Sequence, residues 1–432
     1  MSVVSALAGP AFVAVTLVLN LLRVEPFATY FYLFAWYGLI LTFDQLIRRR
    51  EGHSLIAHCG PGFALVLIWS AATWYFFELL NLRLENWYYI FVADQPLLRP
   101  IGTFLSFATV FPGILWIDHY LAGRKVCAGR RGPALRLSAA GCRNLQLAGV
   151  GCLVLPLVWP TWFFPLVWCS TFLLLAPMER RTGNGLLRQL EEGEYGPLLR
   201  TLLAGLIAGL CWESLNFWAR AKWIYTVPFF DRLKLFEMPL AGFLGFPPFA
   251  VECVVLYRLL VWHRLAPAFG AFAERRPEPC SRRRRVAAAG AALVFSLAVD
   301  QWVVAPVVIT SVTPRVALVE GFDPQTQEAL TACGVRYLTD LEGWEAAATW
   351  RQLEARLDPE HLARLHSLAA LYLHQGIGVE YGNLLVRAGI DSPAGLAPLS
   401  AEELRHRLQQ VAGDARVPTL AQLRVWIRRA PR

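Results

Sequence analysis

A chain of 432 residues that is 56% hydrophobic and only 17% charged, with 16 Trp and 26 Phe, is too apolar for an ordinary soluble domain. Its apolar residues gather in runs of roughly 18 to 24, long enough to cross a ~30 Å hydrocarbon core as helices. The formal charge of +9 is therefore no argument for nucleic acid, because Lys and Arg collect on the cytoplasmic loops of membrane proteins for topological reasons.

In chain order, hydropathy predicts nine spans, at roughly 4–22, 27–47, 62–84, 100–121, 144–158, 162–178, 201–220, 239–262 and 286–309. Met1 to Pro10 lacks a charged n-region, which argues against a cleaved signal peptide. The fifth and sixth spans form a hairpin through "WPTWFFP", where two prolines punctuate the turn. The loops after spans 2, 4, 6 and 8 hold most of the Lys and Arg, including "RRRR" at 282–285. That asymmetry predicts a cytoplasmic N-terminus and, if the ninth span crosses, a periplasmic C-terminal domain. Asp300 sits mid-span and is tolerable there only if it faces the bundle. The nine Cys lie mostly inside apolar runs without a C-x-x-C, and no His pair has helical ligand spacing. Neither pattern points to a metal centre or a bound cofactor.

The chain repeats itself. Glu78, Asn81, Trp87 and Tyr89 correspond to Glu213, Asn216, Trp223 and Tyr225, with one residue inserted before the second Trp. Upstream, Trp36 aligns with Trp168 and Arg48–Arg49 with Arg180–Arg181; downstream, "GTFLSFATVFPG" echoes "GFLGFPPFAVE". Each unit holds four spans, an even number, so the copies (1–124 and 143–263) share one orientation and a pseudo-twofold along the membrane normal. The expected fold is all-α: a helical membrane bundle of about nine spans in two parallel repeats, followed by a small helical domain at 315–432.

Ionisable groups inside a membrane are costly and are candidate functional residues by default. Glu78 and Glu213 fall toward the outer ends of spans 3 and 7, and Asn81 and Asn216 share their helical faces at i+3. We expect paired carboxylates across the pseudo-twofold, oriented by the Asn amides and opening on a vestibule. The Trp–x–Tyr pairs are expected at the membrane interface, either as belt anchors or as walls of that site. The second copy adds Lys222, Glu237 and, deepest in the bundle, Glu252, which follows Pro247–Pro248 in a span that those prolines should break. Glu78, Glu213 and Glu252 are the candidate acids or bases; Asn81, Trp87, Tyr89, Asn216, Lys222, Trp223, Tyr225 and Glu237 are the candidate binding residues. Asp44 and Asp118, near cytoplasmic ends, are expected to be solvated.

The pattern "ExxN…WxY…P…G…E" across a duplicated helical membrane protein resembles the membrane-embedded carotenoid (lycopene) cyclase family over about residues 60–260. The resemblance implies acidic residues and a Trp-bearing loop at an apolar pocket that takes an isoprenoid-type lipid. The family's P-x-E-E run is absent: Glu237 precedes Pro239 and no acid follows at once. A small-solute or ion transporter is the rival expectation, from the parallel repeats and the proline-interrupted span.

After the ninth span, "VEGFDPQTQEALTACGVRYLTDL" and "HQGIGVEYGNLLVRAGIDSPAGL" superpose, aligning Gly321, Leu330, Gly334 and Leu341 with Gly376, Leu385, Gly389 and Leu396. The segment resembles an uncharacterised bacterial domain family of tandem helix-hairpin-helix type. In DNA-binding hairpins, glycine lets backbone N–H groups reach phosphate. Here only the second hairpin reads Gly–Ile–Gly (376–378), and 13 Arg against 14 Asp or Glu leave residues 315–432 near neutral. That balance argues against nucleic acid and for a protein partner or self-association, which would make the membrane part a scaffold.

Overall fold

The computed structural model describes residues 3–182, 185–229, 233–272, 279–343 and 346–431. Helices dominate, and the fold is all-α. Seven helical segments among the described residues are long and apolar enough to span a bilayer: Leu55–Leu84, Leu98–Gly123, Ala139–Val158, Pro160–Glu179, Gly196–Trp218, Leu240–Trp262 and Arg282–Val308. This is a membrane protein. The first two predicted spans are helices as well, α1 (Val3–Leu21) and α2 (Phe31–Glu51). In α2, Asp44 and three Arg in the last turn dilute the apolar run.

The first repeat continues with α3 (Phe63–Leu84), α4 (Leu98–Phe107) and α5 (Val110–Gly123). The second contains α6 (Ala139–Val158), α7 (Val167–Glu179), α8 (Gly196–Trp218) and α9 (Phe246–Trp262). Corresponding helices pack alike: α1 lies on α2 as α6 lies on α7, and α5 contacts α2 and α3 as α9 contacts α7 and α8. Aromatic contacts repeat across the axis too. Trp168 of the second copy stacks on Phe77 of the first at 5.2 Å, and Trp36 of the first meets Trp212, the counterpart of Phe77, at 5.5 Å. The prolines of "FPPF" do not interrupt α9. They occupy its first turn, where no N–H is needed, and the break falls between α9 and a 3₁₀ segment at Leu240–Gly245. The first copy breaks at the matching place, between α4 and α5.

The expectation of solvated cytoplasmic-end aspartates is wrong. Asp118 is buried and accepts from Arg200 Nε at 3.0 Å, Arg200 Nη2 at 3.3 Å and Thr201 at 3.0 Å, which ties α5 to α8 across the repeats. Asp44 is buried and accepts from Trp116 Nε1 and from the Ile56 amide, both at 3.1 Å. A carboxylate withdrawn from water needs such partners.

The ninth predicted span, α10 (Arg282–Val299), packs on α3 and continues as a π-helical stretch to Val308. Asp300 faces the bundle as the sequence required, buried and accepting from Tyr75 OH at 2.9 Å. The chain then leaves α10 beside the loops that follow α3 and α8, at the end opposite Arg282–Arg285, with Tyr89 bridging Ile309 and Val92 bridging Val312. The C-terminal segment therefore lies on the side of the Trp–x–Tyr loops. It holds two apolar cores, one around Leu330, Leu338 and Leu365 and one around Leu385, Leu404 and Trp426.

Candidate functional site

Asparagine makes the turn that builds the site. The Asn81 carbonyl accepts from the Glu85 amide where α3 ends; its side-chain oxygen accepts from the Asn86 amide (2.8 Å) and its NH2 donates to the Trp87 carbonyl (3.0 Å). Asn216 does the same at the end of α8, bonding both the amide and the carbonyl of Trp223 at 3.0 Å. The extra residue of the second copy is absorbed by moving the amide partner from the residue before Trp to Trp itself. The Asn residues thus act on the carboxylates through the chain they turn.

Each turned segment is a short strand, β1 (Trp87–Ile90) and β2 (Lys222–Tyr225), and the two pair antiparallel. The register is symmetric: Trp87 faces Tyr225, Tyr88 faces Ile224, and Tyr89 faces Trp223. Because side chains alternate along a strand, all four Trp and Tyr residues of the motif share one face. That face meets the bundle, while Tyr88, Ile90 and Ile224 form the other and pack on Val425 and Leu373 of the C-terminal segment. Trp87 is only 5% exposed, so it is a wall and not a belt anchor; among the described residues Trp159, Trp162, Trp218 and Trp302 are the exposed indoles.

Beneath the sheet lies a cavity of about 190 Å³ that straddles the pseudo-twofold. Its walls are Trp74, Trp87, Trp168, Trp212, Trp223 and Phe249, with Tyr89 and Tyr225 under the strands and Gly102 and Gly242 at matching places in the two copies. The sequence-based reading missed Trp74, Trp168 and Trp212. Trp74 was findable, since it precedes Glu78 by four residues and so shares its helical face.

The carboxylates do not line this cavity. Glu78 and Glu213 are fully buried behind its wall, and each holds the wall in place. Glu78 accepts from Trp74 Nε1 (2.8 Å), Trp87 Nε1 (3.0 Å) and Tyr89 OH (2.5 Å). Glu213 accepts from Tyr225 OH at 2.8 Å, and its Oε2 has no partner among the described residues. The asymmetry has a sequence cause: the position of Trp74 is taken in α8 by Gly209, whose absent side chain makes room for Phe246. The indole N–H of Trp223 is buried near Glu213 and Tyr225 but makes no hydrogen bond of normal length among the described residues, whereas that of Trp87 is bonded to Glu78. Burial, and then the neighbouring carboxylate, raise both phenols, Tyr89 and Tyr225, well above the ordinary value, so each stays a donor.

The three acids do not converge. Glu252 is buried against α7, where its Oε1 accepts from the Thr171 amide at 2.8 Å, and it is not among the cavity residues. Phe249, one turn earlier on α9, occupies the wall instead. Glu237 lies on the outer side of the sheet, between Lys222 (3.4 Å) and Arg429 (3.2 Å). Lys222 borders both the aromatic cavity and a second, outer one.

The space around Gly–Ile–Gly (376–378) is occupied within the chain. A Cβ on Gly376 would lie 2.0 Å from Ile90 Cγ2, and one on Gly378 would lie 2.3 Å from Ser311 Cβ. Tyr88 OH donates to the Gln375 carbonyl, and Gln422 donates to Thr310.

Residues 320–432 match the family model described as a domain of unknown function (DUF4332). No curated protein matches the chain, and no solved structure does. Among the described residues no cluster of His, Cys, Asp or Glu could hold a metal ion.

Proposed function

We propose that this protein binds an apolar, lipid-like molecule of isoprenoid type in the aromatic cavity between its two repeats. One observation carries the reading: the duplicated motif spends its Trp and Tyr on the walls of one shared cavity, and spends its buried carboxylates on holding those walls. Aromatic walls with few polar groups suit a long apolar ligand, and a fixed indole N–H such as that of Trp223 suits one polar atom on it. If the bound lipid is also transformed, as the resemblance to the carotenoid cyclases implies, the proton reaches it through Tyr225 or Tyr89, because the Glu213 and Glu78 carboxyls stand behind those phenols. We place the protein in a bacterial inner membrane with nine spans, a cytoplasmic N-terminus and a periplasmic C-terminal domain of tandem helix-hairpin-helix type. In that arrangement the sheet closes the cavity from the periplasmic side.

The test is lipid extraction and mass spectrometry on the purified full-length protein, with Trp168→Ala and Trp212→Ala as comparisons. An apolar lipid enriched over the bulk membrane in the native protein and lost from both variants supports the reading. Identical lipid content in all three sinks it, and gradient-driven solute uptake in proteoliposomes would favour transport instead. A lipid product that disappears in Glu213→Gln and in Tyr225→Phe separates transformation from binding.

A further inference from the structure

A second cavity, of about 450 Å³, lies on the other side of the β1–β2 sheet, between the ends of α1 and α8 and the C-terminal segment. Arg23, Arg220 and Lys222 all line it, together with Glu237 and Glu342. Arg220 is the unusual member. Its side chain is 5% exposed, one guanidinium nitrogen meets Glu25 at 3.1 Å, and Nε is buried with no partner among the described residues. Burial, and then the charge of Arg23, lower its pKa against the opposing pull of Glu25, Asp340 and Glu342. Of the nearby acids, Glu25 pairs with Arg220 but its side chain is 54% exposed, Glu237 is shared between Lys222 and Arg429, and Glu342, which lines the same cavity, acts on Arg23, Arg220 and Lys222 together. Three cations thus face two lining acids, and the buried Arg220 guanidinium keeps a donor that neither its Glu25 pair nor any other described residue uses.

The same cavity is bordered by Leu21 (46% exposed), Phe217 (41%) and Trp218 (51%), which are apolar side chains at helix ends that face outward. A free anion has no use for such a border, whereas an anion carrying hydrocarbon chains does. We propose that this cavity holds the phosphate headgroup of an anionic membrane lipid, with Arg23, Arg220 and Lys222 as its cationic contacts and its chains lying over Leu21, Phe217 and Trp218. Because the cavity is walled by both the helices and the C-terminal segment (Gln375 and Gly376), the lipid also ties the two together. The proposal is independent of what fills the aromatic cavity.

Full-length protein in nanodiscs or mild detergent is examined by native mass spectrometry with phosphatidylglycerol and with phosphatidylcholine, and by thermal shift with inorganic phosphate alone. We expect phosphatidylglycerol to be retained over phosphatidylcholine. Arg220→Gln should weaken that retention about tenfold or more, as loss of a charge-assisted hydrogen bond implies. Arg23→Gln, at a half-buried site outside the helical core, should weaken it in the same direction and guards against misfolding of the first variant. Trp168→Ala should leave it unchanged. Equal retention of the two lipids, or unaltered retention in a folded Arg23→Gln protein, overturns the site. Stabilisation by inorganic phosphate equal to that by phosphatidylglycerol overturns the lipid as its source.

Discussion

Replacing each motif carboxylate by leucine should have unequal effects, although the two positions are equivalent in the sequence repeat. Glu78→Leu strands the donors that now meet on one carboxylate: Trp74 Nε1, Trp87 Nε1 and Tyr89 OH. Trp74 can fall back on the Tyr89 oxygen 3.3 Å away, which leaves two donors buried and unpaired. At about 1–3 kcal/mol for each stranded group, the cost is about 2–6 kcal/mol. Glu213→Leu strands one bonded donor among the described residues, Tyr225 OH, and removes an acceptor oxygen that had no partner there, so the same arithmetic gives about 1–3 kcal/mol. Unfolding followed by tryptophan fluorescence in a mixed-detergent titration reads the difference, since several of the sixteen indoles lie around the cavity. Equal destabilisation by the two variants, or the reverse order, would refute the claim that the carboxylates act chiefly as holders of the aromatic wall.

Asp118→Asn breaks a buried ion pair between the repeats and leaves Arg200 unmatched; a loss of about 3–5 kcal/mol is expected in the same unfolding assay. Gly376→Val places a side chain inside the space of Ile90 at φ +75°, so limited proteolysis of the full chain should cut the segment around Thr313–Val319 faster than in the native protein. Tyr89 and Tyr225 bind their phenolic protons more tightly folded than unfolded. Their contribution to stability is therefore fully present below the ordinary value of 10.0 and is lost as pH rises through the raised folded values. Alkaline phenolate titration should show a late-titrating group of tyrosines that shrinks in the Tyr89→Phe, Tyr225→Phe double variant; an unchanged curve would count against the buried phenol–carboxylate pairs.

The sequence by itself determined the class of object, an all-helical membrane protein, because the length and hydropathy of an apolar run are local properties that a bilayer reads directly. It also placed Asp300 correctly, since a carboxylate in a span has few tolerable directions to face. Only the tertiary structure decided what the motif does. Glu78 and Trp74 sit four residues apart on one helix and could have been paired on paper. That β1 from one repeat would meet β2 from the other, 135 positions away, depended on how two helix pairs close around an axis. The same closure set Trp168 against Phe77, turned Glu252 away toward Thr171, and put Asp118 in reach of Arg200. Gly376 shows the limit most plainly. In DNA-binding hairpins such a glycine leaves space for a phosphate, but space left by a missing side chain is filled by whatever the fold brings there, and here that is Ile90.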